Sequence, residues 1–161
     1  MVAPVQLIDD ALLDATLARA RDSARGRINH NFHSELAPNP SRFLNAWTRG
    51  SYAAPHRHSL VPKPESFIML RGEMVLFLFD DAGRVTEHFI LGRDGVVGID
   101  VAPGLWHTVA AITDTAVCFE VKPGPYDAVT DKQFAPWAPL EGDPAAAEYL
   151  SALLAVVGLS P

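Results

Sequence analysis

Read for polarity alone, the chain divides into an amphipathic helix, a long series of short extended segments, and a second amphipathic helix. Leu13, Leu17, Ala20 and Ala24 recur at helical spacing, with Asp9 or Asp10 as a cap, Arg19, Arg21 and Arg25 toward the end, and Gly26 as a stop. From residue 27 the period shortens. Segments 27–36, 42–58, 66–70, 73–80, 84–91, 95–101, 106–112 and 116–122 are broken by Pro and Gly, a pattern that predicts a sandwich or barrel. Asp80-Asp81-Ala82-Gly83 supplies the turn of a hairpin. Stretch 73–80 is apolar on both faces, Val75, Phe77 and Phe79 on one and Met74, Leu76 and Leu78 on the other. It therefore needs a second cover, from the N-terminal helix or another subunit, and the latter predicts a homodimer.

The loop 123–139 is rich in Pro and aromatic residues and is expected to wrap on the body of the domain. Asp143 then caps a closing helix with Pro144 in its first turn, Tyr149, Leu150, Leu153, Leu154 and Val157 as its stripe, and Gly158 at its end. A chain of 161 residues fits one domain. Its parts are an N-terminal helix (1–26), a barrel with its wrapping loop (27–141) and a C-terminal helix (142–161).

Composition narrows the function. A net charge of −6 without a long basic run argues against a nucleic-acid partner, but leaves anionic small molecules open if basic side chains gather in one pocket. The single Cys118 sits in an apolar run and reads as a small buried hydrophobe, which suits a reducing compartment. No signal-peptide pattern and no membrane-length apolar run is present, so a cytoplasmic protein with no membrane partner is expected.

The chemistry gathers around Pro55-His56-Arg57-His58. On a strand His56 and His58 point one way and Arg57 the other, so two imidazoles converge, a metal chelate in outline. Glu65 shortly after and the distant His107 would complete three nitrogens and one oxygen, a set that suits a first-row divalent transition metal. If 106–112 and 116–122 form a hairpin about Thr113 and Asp114, His107 lies opposite Glu120 on one face. Glu120 would then line the cavity, as an acceptor orienting an imidazole or as a general base; the alternative is a carboxylate paired with Lys122. His33 shares a face with Asn31, and Asn31 with Asn29, which offers His33 a place in the cavity or a hydrogen-bonded structural role. Tyr52, Tyr126, Trp137 and Lys132 could wall a sugar-sized pocket, or could pin the long loop.

A Gly before His56, Glu65 and Gly72 after it, and a later Pro103-Gly104-x-x-His107 resemble the two-part pattern of the cupin superfamily. The resemblance implies an all-β core, a cupin-type jelly-roll barrel, here flanked by the two helices, with His56, His58, Glu65 and His107 at the ligand positions. The interval from His58 to Glu65 is longer than in that pattern. Most of the chain further resembles the WbuC-type cupin metalloproteins, through Arg27-Ile28-Asn29, Asn31-Phe32-His33, Gly50-Ser51-Tyr52, Pro103-Gly104 with Trp106-His107-Thr108, Phe119-Glu120 with Lys122, Gly124-Pro125-Tyr126, and Asp131-Lys132 with Phe134-Ala135-Pro136-Trp137-Ala138-Pro139. It covers about 27–141 and implies surface-polysaccharide metabolism, with no established reaction.

The expected protein is thus a cupin holding Zn, Ni, Mn or Fe on His56, His58, Glu65 and His107. Glu120 and His33 are its candidate catalytic groups, and Tyr52, Lys122, Tyr126 and Lys132 its candidate contacts to a sugar, sugar acid or nucleotide sugar. Proton transfer of isomerase, epimerase or lyase type is the first reading. An iron-dependent dioxygenase and a non-catalytic binding or sensing module are the alternatives.

Overall fold

A computed structural model describes residues 4–33, 35 and 39–159. Helix α1 (Asp10–Asp22) starts where Asp9 accepts a hydrogen bond from the Leu12 amide at 2.9 Å. Ten strands follow: β1 (Arg27–Asn31), β2 (Ser41–Thr48), β3 (His56–Arg57), β4 (Glu65–Arg71), β5 (Met74–Phe79), β6 (Val85–Leu91), β7 (Gly98–Val101), β8 (Trp106–Ala111), β9 (Thr115–Lys122) and β10 (Gln133–Phe134). Helix α2 (Ala146–Val156) closes the chain. Positions 34 and 36 of the first predicted segment lie outside the described residues. Segment 42–58 divides into β2 and β3 around a buried irregular stretch at 51–55, where the Arg27 guanidinium bonds Ser51 Oγ and the Tyr52 carbonyl. The short β10 lies within the wrapping loop, where apolar alternation gave no signal.

The strands form two antiparallel five-stranded sheets, β1-β2-β9-β4-β7 and β10-β3-β8-β5-β6, face to face as a cupin-type jelly roll. The β5–β6 hairpin forms about 80–83 as its turn residues demand. The proposed pairing of 106–112 with 116–122 does not form. β8 is central in one sheet, between β3 and β5, and β9 is central in the other, between β2 and β4. With both edges of each strand already bonded, the short link between them crosses from sheet to sheet. Thr113 Oγ1 braces that corner by accepting the Glu73 amide at 2.9 Å. Gly72 lets it close: a Cβ there would sit 2.2 Å from the Thr115 carbonyl oxygen.

The cover for β5 is a second correction. Met74 and Leu76 point into the barrel with Trp47, Phe67 and Leu91, whereas Val75, Phe77 and Phe79 meet Leu150, Leu153 and Leu154 of α2 and Trp137 of the wrapping loop. Helix α1 instead packs Leu13, Leu17 and Ala20 on Leu44, Ala46 and Val117 of the opposite sheet. The chain thus fills both faces of β5 itself, and its apolarity needs no second subunit. Asp143 turns the chain into α2 without capping it, since its Oδ1 takes the Ala145 amide at 2.8 Å and the helix begins at Ala146. Among the described residues no helix is long and apolar enough to cross a membrane.

Leu154, 1% exposed, is central to the α2 interface. Leu154→Ala should lower unfolding free energy by about 2–5 kcal/mol in urea denaturation. A loss under about 0.5 kcal/mol would show that α2 does not carry the outer core.

Candidate metal centre

The two sheets bring the candidate ligands to one point. His56 of β3 pairs directly with His107 of β8, and their rings lie 4.7 Å apart. His58, just past β3, stands edge-on to His56, with ring centres 5.2 Å apart. Glu65, at the start of β4 in the other sheet, reaches across: its Oε1 is 3.0 Å from His58 Nε2 and its Oε2 2.9 Å from His107 Nε2. One donor atom from each of the four residues lies within 4.8 Å of all the others, and all four residues are buried. Arg57 turns outward, as alternation requires, and stacks on Trp106 with Cζ 4.2 Å from the ring centre.

Each imidazole is held by its other nitrogen. Nδ1 of His56 faces the Ala54 carbonyl at 3.1 Å, Nδ1 of His107 the Leu105 carbonyl at 2.9 Å, and Nδ1 of His58 the Asp131 carbonyl. A carbonyl only accepts, so Nδ1 carries the proton and a neutral ring presents its Nε2 lone pair. Burial, reinforced by Lys132 and His107, lowers the His56 pKa well below its usual value and keeps that ring neutral. With neutral rings the lone pairs of His58 and His107 would face a carboxylate 3.0 and 2.9 Å away, an arrangement that a cation between them would relieve. His58 Nε2 is buried and makes no proper hydrogen bond despite its closeness to Glu65. Donors about 2.1 Å from one ion and at right angles to each other lie about 3 Å apart, which is the separation of the Glu65 oxygens from His58 and His107. The residues fit a divalent transition metal, and the donor set does not identify which.

Behind the cluster lies a buried charge network. Asp131, 1% exposed, accepts Lys63 Nζ and Lys122 Nζ at 2.9 Å each, and Lys122 Nζ lies 3.4 Å from Glu65 Oε1. Burial works against the charge on Glu65, and Lys122, with Nζ 3.4 Å from Oε1, favours it. Burial likewise opposes the charge on Lys122, and Glu65, Glu120 and Asp131 outweigh it and raise that pKa.

A cavity of about 520 Å³ opens from this cluster. Glu120 and Lys122 of β9 line it together with Asn29, Asn31, His33, Tyr126 and Lys132. Glu120 therefore reaches the cavity from the sheet opposite His107 and not as its hairpin partner. Its Oε2 accepts Asn45 Nδ2 at 2.9 Å. Burial and the nearby Glu65 push its pKa up to about 8, so two carboxyl groups in one cavity take opposite protonation states near neutrality. His33 lies along the cavity, but its Nδ1 is tied to the backbone of Arg42, at 3.0 Å from the oxygen and 3.2 Å from the nitrogen. Tyr52 is not part of the cavity wall. Its hydroxyl donates to the Pro139 carbonyl at 2.7 Å and its ring packs on Tyr149, so it pins the wrapping loop. Trp137 does the same against Phe79 and Trp106. Sequence reasoning missed Asp131, Lys63 and Asn45; Asp131 stands in the wrapping loop, where no periodicity marks a buried acid.

The family model of a domain of unknown function (DUF6016) matches residues 8–91. No curated protein matches the sequence. Solved structures with this fold include the capsular polysaccharide assembling protein CapF from Staphylococcus aureus, with a TM-score of 0.54 and 16% identity over 67% of this chain and 34% of that one. A dTDP sugar isomerase from Desulfovibrio desulfuricans G20 gives 0.50 and 21% over 65% and 68%. A protein from Shewanella oneidensis gives 0.53 and 14% over 70% and 75%. The chain spans about a third of the length of the CapF protein, and at these identities the likeness is one of fold.

The raised pKa of Glu120 predicts a stability effect in EDTA-treated protein. The folded state keeps the proton to about pH 8 while the unfolded carboxyl loses it near pH 4.5, so stability present at acid pH falls between those values, by up to about 1.4 kcal/mol per pH unit. Glu120→Gln should flatten that decline in urea titrations from pH 5 to 8. Equal slopes in the two proteins would mean that Glu120 is ionised when folded.

Proposed function

The chain belongs to the DUF6016 family, whose model matches just over half of it, and from the cavity and its donor set we propose a metal-dependent cupin that moves a proton on a carbohydrate-like small molecule. The observation that carries this reading is the set of backbone-anchored imidazoles facing one buried carboxylate. His56, His58, His107 and Glu65 would hold the ion. Bound there, it would polarise a carbonyl or hydroxyl oxygen and acidify the neighbouring C–H or O–H.

The chain's own residues supply the rest. Glu120, oriented by Asn45, gives or takes the proton, and its raised pKa suits a group that exchanges protons near neutral pH. Lys122 keeps Glu65 ionised and in place. The barrel wall would exclude water from one side of the reacting group. Fold likeness to a dTDP sugar isomerase and to a capsular polysaccharide assembling protein supports the carbohydrate assignment, as does the motif resemblance to WbuC-type cupins over 27–141. Surface-polysaccharide metabolism in the cytoplasm is the setting this reading favours.

Protein purified without an affinity tag should contain close to one equivalent of a first-row metal, and His56→Ala or His107→Ala should lose it. Full metal content in both variants would end the reading. Glu120→Gln should keep the metal and lose about 100-fold or more of the solvent deuterium exchange into a substrate found by screening nucleotide sugars and sugar acids. Undiminished exchange would remove Glu120 from the chemistry.

A further inference from the structure

The sequence contains three lysines, Lys63, Lys122 and Lys132, against ten arginines. All three belong to the site: Lys63 and Lys122 share Asp131, while Lys122 and Lys132 line the cavity. Surface cations are arginines, such as Arg71 on Asp10 and Asp14, Arg84 on Asp80, and Arg93 on Glu73. A lysine is a compact point charge that pairs with any oxyanion reaching it, where arginine imposes a planar fork.

The cavity cations differ in what they already hold. Arg25 and Arg27 both reach Glu141, and Lys122 lies against Asp131 and Glu65. Lys132 makes neither an ion pair nor a hydrogen bond with any described residue. Burial lowers its pKa, with Glu65 acting against the shift.

Its place is fixed from both sides. Asp131 before it is locked by two lysines. Gln133 after it accepts Arg57 Nε at 2.8 Å and Ser59 Oγ at 2.7 Å, and Phe134 pairs with His56 in the β10–β3 ladder. A partly buried ammonium is thus pre-organised near His56 at the metal end of the cavity, with Glu65, Glu120 and Asp131 in its surroundings but no direct ion pair of its own.

We propose that Lys132 receives the acidic group, a carboxylate or phosphate, of the molecule that fills the cavity, so that the substrates are acidic compounds rather than neutral sugars. This rests on reading the cavity as the substrate site. The neutral oxygens of the ligand would face the histidines and Glu65, and its acid group would supply the direct ion pair that Lys132 lacks. Acid ligands would then be drawn by the local charge of the cavity wall despite the chain's net charge of −6.

The test uses the metal-loaded full chain and the anionic amine reagent trinitrobenzenesulfonate, with labelled sites located by peptide mass spectrometry. Lys132 should be labelled ahead of the paired Lys63 and Lys122. Either D-glucuronate or D-glucose 1-phosphate should slow that labelling roughly fivefold or more, and D-glucose should not. The two acids separate a carboxylate site from a phosphate site. The protecting acid should raise the melting temperature of wild type and of Lys132→Arg, and leave Lys132→Gln unshifted with its metal content intact. Protection by neither acid, equal protection by D-glucose, or a persisting shift in Lys132→Gln would overturn the proposal. Acid protection in a wild-type protein that binds no metal would instead overturn the metal reading and leave this one standing.

Discussion

Glu65 is a carboxylate with only 3% of its surface exposed, and the structure around it is arranged to compensate its charge. Stranding such a group costs several kcal/mol, so its neighbours are constrained: cations and polarised donors must stand within contact distance and must themselves be held. Lys122 supplies the permanent charge from one side, and Asp131 with Lys63 steadies Lys122. On the other side His58 and His107 present Nε2, while backbone carbonyls fix their Nδ1 protons. A cation among these groups would let the lone pairs and the carboxylate attract one centre rather than repel each other.

The fold delivers these groups from different parts of the chain. β3 and β8 bring the imidazoles, β4 and β9 bring Glu65, Glu120 and Lys122 from the facing sheet, and the wrapping loop brings Asp131 and Lys132. Tyr52 and Trp137 secure that loop, and α2 covers the outside of β5. Packing that looks remote from chemistry thus sets the position of two charged residues. The same logic separates the two carboxyl groups of the cavity, since the compensated one ionises and the uncompensated one keeps its proton.

Much of this was legible in the sequence, for stated reasons. Alternation placed His56 and His58 together and Arg57 apart, helical spacing found Leu13 and Leu17, and the turn residues at 80–83 identified a hairpin. The 106–122 hairpin failed because a three-residue link serves both a hairpin and a crossing between sheets, and only the neighbours of β8 and β9 decide which. Glu120 still faces the cavity, because alternation along β9 holds whichever strand lies beside it. Of the two roles open to Tyr52 the structure shows the loop pin, and the choice was not legible because a tyrosine that pins a loop and one that stacks on a ligand share the same local sequence. Asp131 was invisible because its partners, at 63 and 122, come together only in three dimensions. The scarcity of lysine was the overlooked sequence signal.

The measurement that bears most directly on this account is X-ray absorption at the metal edge of protein loaded with one equivalent of zinc or nickel. The account predicts a first shell of nitrogen and oxygen near 2.1 Å with the outer-shell scattering of about three imidazoles, and no sulfur. A shell of light atoms without imidazole scattering would contradict it, because the ion would then be bound elsewhere and Glu65 would be balanced by protons and Lys122 alone.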